Sequence, residues 1–77
     1  MVEAYVLIET EIGKMERVAA ELSEIPGVSA ADVLSGPYDV IVRAEAQDVD
    51  GLGRLVVAKI QGVYGVTRTL TCPIVQL

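Results

Sequence analysis

The feature that most constrains this fold is a repeat. Ile25-Pro26-Gly27-Val28 and Ile60-Gln61-Gly62-Val63 each close a stretch of helical period and open a stretch of extended period. Pro26 cannot continue a helix, and a glycine just past the last helical residue is a common stop. The chain therefore runs strand, helix, strand twice over, in the order βαββαβ.

The segments between fill that frame. Met1 to Thr10 carries an unbroken Val6-Leu7-Ile8 centre, which predicts a short strand buried on both faces and so central in its sheet. Over Glu11 to Ile25 the period changes: Ile12, Met15, Val18, Ala19, Leu22 and Ile25 recur at three and four, which predicts an amphipathic helix. Thr10 is its candidate N-cap, without a capping-box partner because Gly13 stands three residues on. Val28 to Leu34 and Tyr38 to Ala46 predict the second and third strands, an antiparallel hairpin turning at Gly36-Pro37. In the third strand Tyr38, Val40, Val42 and Ala44 share one face and Asp39, Ile41, Arg43 and Glu45 the other. Asp48 caps a second helix striped by Leu52, Leu55, Val56 and Ile60, with Gly51 and Gly53 weakening its first turn and Gly62 ending it. Val63 to Leu77 is the last strand, bent at Tyr64-Gly65, and Pro73 puts it at a sheet edge. The expectation is a single α+β domain over residues 1–77, ferredoxin-like, with a four-stranded antiparallel sheet and two helices on one face. Val6, Leu7, Ile8, Val40, Ile41 and Val42 supply apolar side chains to both faces of that sheet. The face without helices therefore predicts a dimer packed sheet against sheet.

Composition removes several functions. A net charge of −5 with six scattered Lys and Arg argues against direct nucleic-acid binding, which needs clustered cations. No apolar run reaches the roughly 20 residues that span a bilayer, and no charged-then-apolar leader opens the chain, so a cytoplasmic protein is expected. With no histidine and Cys72 alone, the usual zinc and copper ligand sets are missing, and no cofactor is expected. Nucleophilic catalysis finds no base beside Cys72, which reads as a small buried hydrophobe. The carboxylate pairs Glu9 with Glu11 and Asp48 with Asp50 read as solvated ends of elements. Nor does the loop after the first strand hold the cysteine pair of a metal chaperone. An RNA-binding sheet would need more aromatics than Tyr5 and Tyr38.

What remains is the hairpin corner, Ser35 to Ala44. Asp39 either accepts hydrogen bonds from turn amides or holds a ligand ammonium group, while amides near Gly36 and Tyr38 meet a carboxylate. Pro37 has no amide to offer. Thr67, Thr69 and Thr71 form a row suited to a solvent-facing edge strand, or to placing hydroxyls near the corner of a neighbouring subunit.

The Gly36-Pro37-Tyr38-Asp39-Val40 string, the Ile-Pro-Gly-Val entry before it and the threonine-rich last strand after it resemble a known family. The chain is similar to the effector-binding domain of the leucine-responsive and asparagine regulators (Lrp/AsnC), the RAM domain. The resemblance implies dimers packed sheet to sheet, rings of dimers, and a small effector, usually an amino acid, bound where dimers meet. Carried over by motif, Gly36, Tyr38 and Asp39 line that site, with Thr69 and Thr71 beside them. The family's transcription factors carry a helix-turn-helix domain before this module, whereas Met1 here opens almost directly on the first strand. The implied function is a stand-alone amino-acid-sensing module that modulates transcription indirectly, through mixed assembly with full-length relatives. Two alternatives share the topology: a small dimeric ferredoxin-like enzyme using Asp39 or Arg43, and an ACT-like regulatory domain.

Overall fold

A computed structural model describes residues 1–76; Leu77, the predicted end of the last strand, lies outside the described residues. Strand β1 spans Val2–Thr10, helix α1 Met15–Ser23, β2 Val28–Val33, β3 Val40–Ala46, helix α2 Val49–Arg54 and β4 Val66–Pro73. Past Arg54 the second helix widens into π-helical turns over Leu55–Ile60. The sheet is antiparallel throughout, in the order β2-β3-β1-β4. The ferredoxin-like βαββαβ fold read from the sequence is therefore the observed one, with β1 central and β4 at an edge.

Alternation builds the core. Ala4, Val6 and Ile8 of β1 pair with Ala44, Val42 and Val40 of β3, and all six side chains are fully buried. Over them lie Val18, Ala19 and Leu22 from α1 with Leu52, Val56 and Ile60 from the second helix, so both helices cover one face. The opposite face is less apolar than the run Val6-Leu7-Ile8 suggests. Leu7, Ile41 and Leu70 stand in register across β1, β3 and β4, while Glu3, Tyr5, Glu9, Arg43, Glu45 and Arg68 occupy the rows around them. Cys72 pairs with Tyr5 on this face and is exposed, not buried as expected, because its side of the edge strand points away from the helices.

The repeat exists, but three residues further along in its second half than the sequence suggested. Gly27 and Gly65 both sit at φ +99, immediately before β2 and β4. The Val28 amide donates to Ile25 O at 3.0 Å, as the Val66 amide does to Val63 O at 3.1 Å. Ile25-Pro26-Gly27-Val28 therefore corresponds to Val63-Tyr64-Gly65-Val66. Each positive-φ glycine carbonyl accepts from a neighbouring segment: Gly27 O from the Glu45 amide, Gly65 O from the Glu11 amide, both at 2.8 Å. Gly62 belongs to the helix exit instead.

The start of the first helix also moves. Helix α1 starts at Met15 and not at Glu11, since Gly13 at φ +81 breaks helical geometry before it. Thr10 does not cap it: Thr10 ends β1, and Lys14 holds the cap position without a side-chain bond. Asp48 does cap the second helix, its Oδ1 accepting from the Gly51 amide at 2.7 Å.

Candidate functional site

The hairpin corner turns on Asp39. Its amide donates to Ile8 O at 2.9 Å and its carbonyl accepts from the Leu34 amide at 2.8 Å, which ties β3 to β1 and closes the hairpin. Strand β3 begins only at Val40, so β1 runs two residues past the last pair, Ile8 with Val40. The Asp39 carboxylate takes the missing rung: Oδ2 accepts from the Thr10 amide at 2.8 Å and from Thr10 Oγ1 at 3.3 Å. On the other side of β1 the register shifts between Glu9 and Thr10, and Thr67 Oγ1 donates to Glu9 O at 3.1 Å. The single peptide group between Glu9 and Thr10 is thus held at its N–H by Asp39 and at its C=O by Thr67. Asp39 Oδ1 has no hydrogen-bond partner among the described residues.

The other corner residues are more open. Gly36 is exposed, does not adopt a positive φ, and a Cβ there would meet nothing within 4 Å. Its flexibility is not what the turn requires; the space above it is free. The amides of Gly36 and Tyr38 make no backbone hydrogen bond among the described residues, and Tyr38 and Asp39 are each half-buried.

Thr69 and Thr71 do not join this group within one chain. They pair with Ile8 and Val6, so their side chains lie on the helix side of β4, half-buried, and not on a solvent-facing row. Thr69 Oγ1 accepts from Gln61 Nε2 at 2.9 Å, at a polar cleft of about 360 Å³ lined by Gln61, Val66, Thr67, Arg68 and Thr69. Thr71 borders an apolar groove between β4 and the second helix, beside Val49, Val56 and Val57. Strand β1 separates both clefts from Asp39. Thr10 and Gln61 carry no local pattern that marks them as members of this region, because their partners lie 29 and 8 residues away, and the contact of Thr67 with Glu9, 58 residues away within one chain, is equally hidden from the threonine row.

A second polar constellation stands on the open sheet face. Arg43 Nη1 donates to Tyr5 Oη at 2.9 Å and Nη2 to Glu3 Oε2 at 3.1 Å. The Glu3 carboxylate, and then Tyr5, raise the Arg43 pKa above the ordinary arginine value. No group of three His, Cys, Asp or Glu side chains among the described residues forms a metal cage. No helix there is long and apolar enough to cross a membrane.

Comparison with known proteins agrees with the fold. The family model for the Lrp/AsnC ligand-binding domain matches residues 3–76. An uncharacterized HTH-type transcriptional regulator of Pyrococcus abyssi is 31% identical over 71 residues, covering 88% of this chain and 47% of that protein. The chain thus spans about half the length of the curated regulators it matches. A homocitrate synthase of Sulfurisphaera tokodaii is 43% identical over 54 residues, 70% of this chain but only 12% of that enzyme. Among solved structures, FFRP-DM1 superposes with a TM-score of 0.91 at 32% identity, covering 97% of this chain and 100% of that one. A transcriptional regulator of Neisseria meningitidis in complex with L-Met superposes at 0.84 with 18% identity, over 97% of this chain and 50% of that one, a likeness of fold alone. The chain belongs to the Lrp/AsnC ligand-binding domain family.

Proposed function

We propose that this chain is a self-associating sensor of a small effector, an amino acid, held at the Asp39 corner between subunits. The observation that carries the reading is the state of Asp39. One carboxylate oxygen is anchored on Thr10, while the other, like the amides of Gly36 and Tyr38 in the same corner, has no hydrogen-bond partner among the described residues. A fixed anion next to free N–H donors matches a zwitterion, ammonium to Asp39 and carboxylate to the amides. Thr69 and Thr71 reach such a ligand only from another subunit, since β1 separates them from Asp39 within one chain. The L-Met bound by the meningococcal regulator supports an effector of this class.

Association is part of the same reading. The open sheet face, with Leu7, Ile41 and Leu70 at its centre, pairs with a second copy, and dimers assemble further into rings. Residues 1–77 act as one ligand-binding unit, without direct DNA contact, and reach transcription through mixed assembly with full-length regulators. That FFRP-DM1 is matched along its whole length supports reading these residues as one such unit. Titrating the full chain calorimetrically with each of the common amino acids tests the proposal. One or more should bind, and Asp39→Asn should abolish the signal. Silence from every amino acid, or binding unchanged in the variant, refutes it.

A second reading rests on the homocitrate synthase segment, in which a similar sequence stands inside an enzyme polypeptide. The module would then report its ligand to an enzyme and not to a DNA-binding protein. Mixing the chain with a protein of each class and weighing the complexes by light scattering decides between them.

A further inference from the structure

The open sheet face carries more than an apolar row. Beside Leu7, Ile41 and Leu70, the next row of the same face holds Arg43, Tyr5 and Cys72. Arg43 bonds Tyr5 Oη and Glu3 Oε2 at 2.9 and 3.1 Å, with its guanidinium carbon 5.4 Å from the Tyr5 ring centroid. These bonds leave much unused. A guanidinium has five N–H donors and a carboxylate two acceptor oxygens. Further Arg43 donors, the Tyr5 hydroxyl hydrogen and Glu3 Oε1 have no partner among the described residues.

Water serves these groups while the face is open. A sheet packed over them removes that water, and a cover made only of apolar side chains leaves them stranded. A second copy brings the same surplus of donors and acceptors, and a two-fold interface buries the same surface of both copies, so each such group on one copy has its counterpart on the other. We propose that Arg43, Tyr5 and Glu3 form a pairing-selectivity cluster, which admits a second copy of this chain to the open face and disfavours a sheet that lacks the three. The proposal rests on the open face being the self-association surface. Its selectivity comes from the penalty on the wrong partner more than from added affinity for the right one.

The test mixes the wild-type chain with a Glu3→Leu/Tyr5→Phe/Arg43→Leu variant and counts dimers by native mass spectrometry. Indifferent pairing gives mixed dimers twice the abundance of either homodimer. The cluster depletes the mixed species about tenfold or more below that share. Mixed dimers at the indifferent share overturn the cluster and leave the dimer reading standing. A wild-type chain that is monomeric at micromolar concentration overturns both. If circular dichroism shows that the triple variant does not fold, Arg43→Met decides. Mixed with the wild-type chain, it should form mixed dimers on the order of tenfold below the indifferent share, and mixed dimers at that share overturn the proposal.

Discussion

Asp39 allows a structural role and a ligand role to be separated by two substitutions. Its bond to the Thr10 amide is short, 2.8 Å, and charge-assisted. Hydrogen bonds to charged groups contribute about 1.5–3 kcal/mol, but the site is only half-buried and water can replace a lost partner. Asp39→Ala should therefore cost about 1–2 kcal/mol. Asp39→Asn keeps a carbonyl oxygen that accepts from Thr10 and exchanges a charged bond for a neutral one, costing about 0.5–1 kcal/mol. For a domain this small, 1 kcal/mol is worth about 4–8 °C in Tm, so Asp39→Ala should melt roughly 5–15 °C lower and Asp39→Asn roughly 2–8 °C lower. Binding orders the variants differently. An ammonium group is held by charge, so Asp39→Asn should lose the ligand as completely as Asp39→Ala. Circular dichroism melts at one fixed protomer concentration, paired with calorimetry, read both quantities. Wild-type affinity in Asp39→Asn would reduce Asp39 to a rung of the β1–β3 ladder. A wild-type Tm in Asp39→Ala would refute the rung itself.

Three further outcomes follow from the packing. Gly27→Ala should destabilise the fold by about 1–3 kcal/mol in chemical denaturation, since Gly27 sits at φ +99 and a Cβ there would stand 3.1 Å from Glu45 O and Leu55 Cδ2. Gly53→Ala should do the opposite, gaining about 0.5–1 kcal/mol, because a helical Cβ there meets nothing within 4 Å. Cys72, the single cysteine and exposed on the open sheet face, should react with a thiol reagent quickly in dilute protein and more slowly as rising concentration drives association. A rate independent of concentration would place the contact surface elsewhere.

The architecture was legible because side-chain period is written in the chain. Alternation in β1 and β3 and the spacing of Val18, Ala19 and Leu22 identified the faces that meet, and Pro73 identified the edge. What misled was local resemblance between strings whose backbones differ. Gly62 and Gly65 are the same residue in sequence, yet only Gly65 takes a positive φ, because the helix before Gly62 continues through π-helical turns to Ile60. Thr10 looks like a cap in its neighbourhood, and only Asp39, 29 residues on, keeps it in the sheet. Leu7 looks equivalent to Val6 and Ile8, but the apolar row it joins on the open face is only three residues wide and ends at Asp32 on β2.

The candidate site was less legible for a further reason: one chain does not complete it. Asp39 lies on the β3 side of β1, and Thr69 and Thr71 lie on the β4 side. Adjacent strands are about 4.8 Å apart, so a free amino acid at the corner of one subunit does not also touch the β4 hydroxyls of that subunit across β1. If both sets hold the ligand, they belong to different subunits, and binding is then linked to assembly. Ligand must tighten the assembly by the same factor by which assembly tightens the ligand. Affinity measured by calorimetry should accordingly rise with protomer concentration, and added ligand should shift sedimentation toward larger species. Binding that is independent of protomer concentration and leaves sedimentation unchanged would confine the site to Asp39, Tyr38 and Gly36 within one chain, and would remove Thr69 and Thr71 from it.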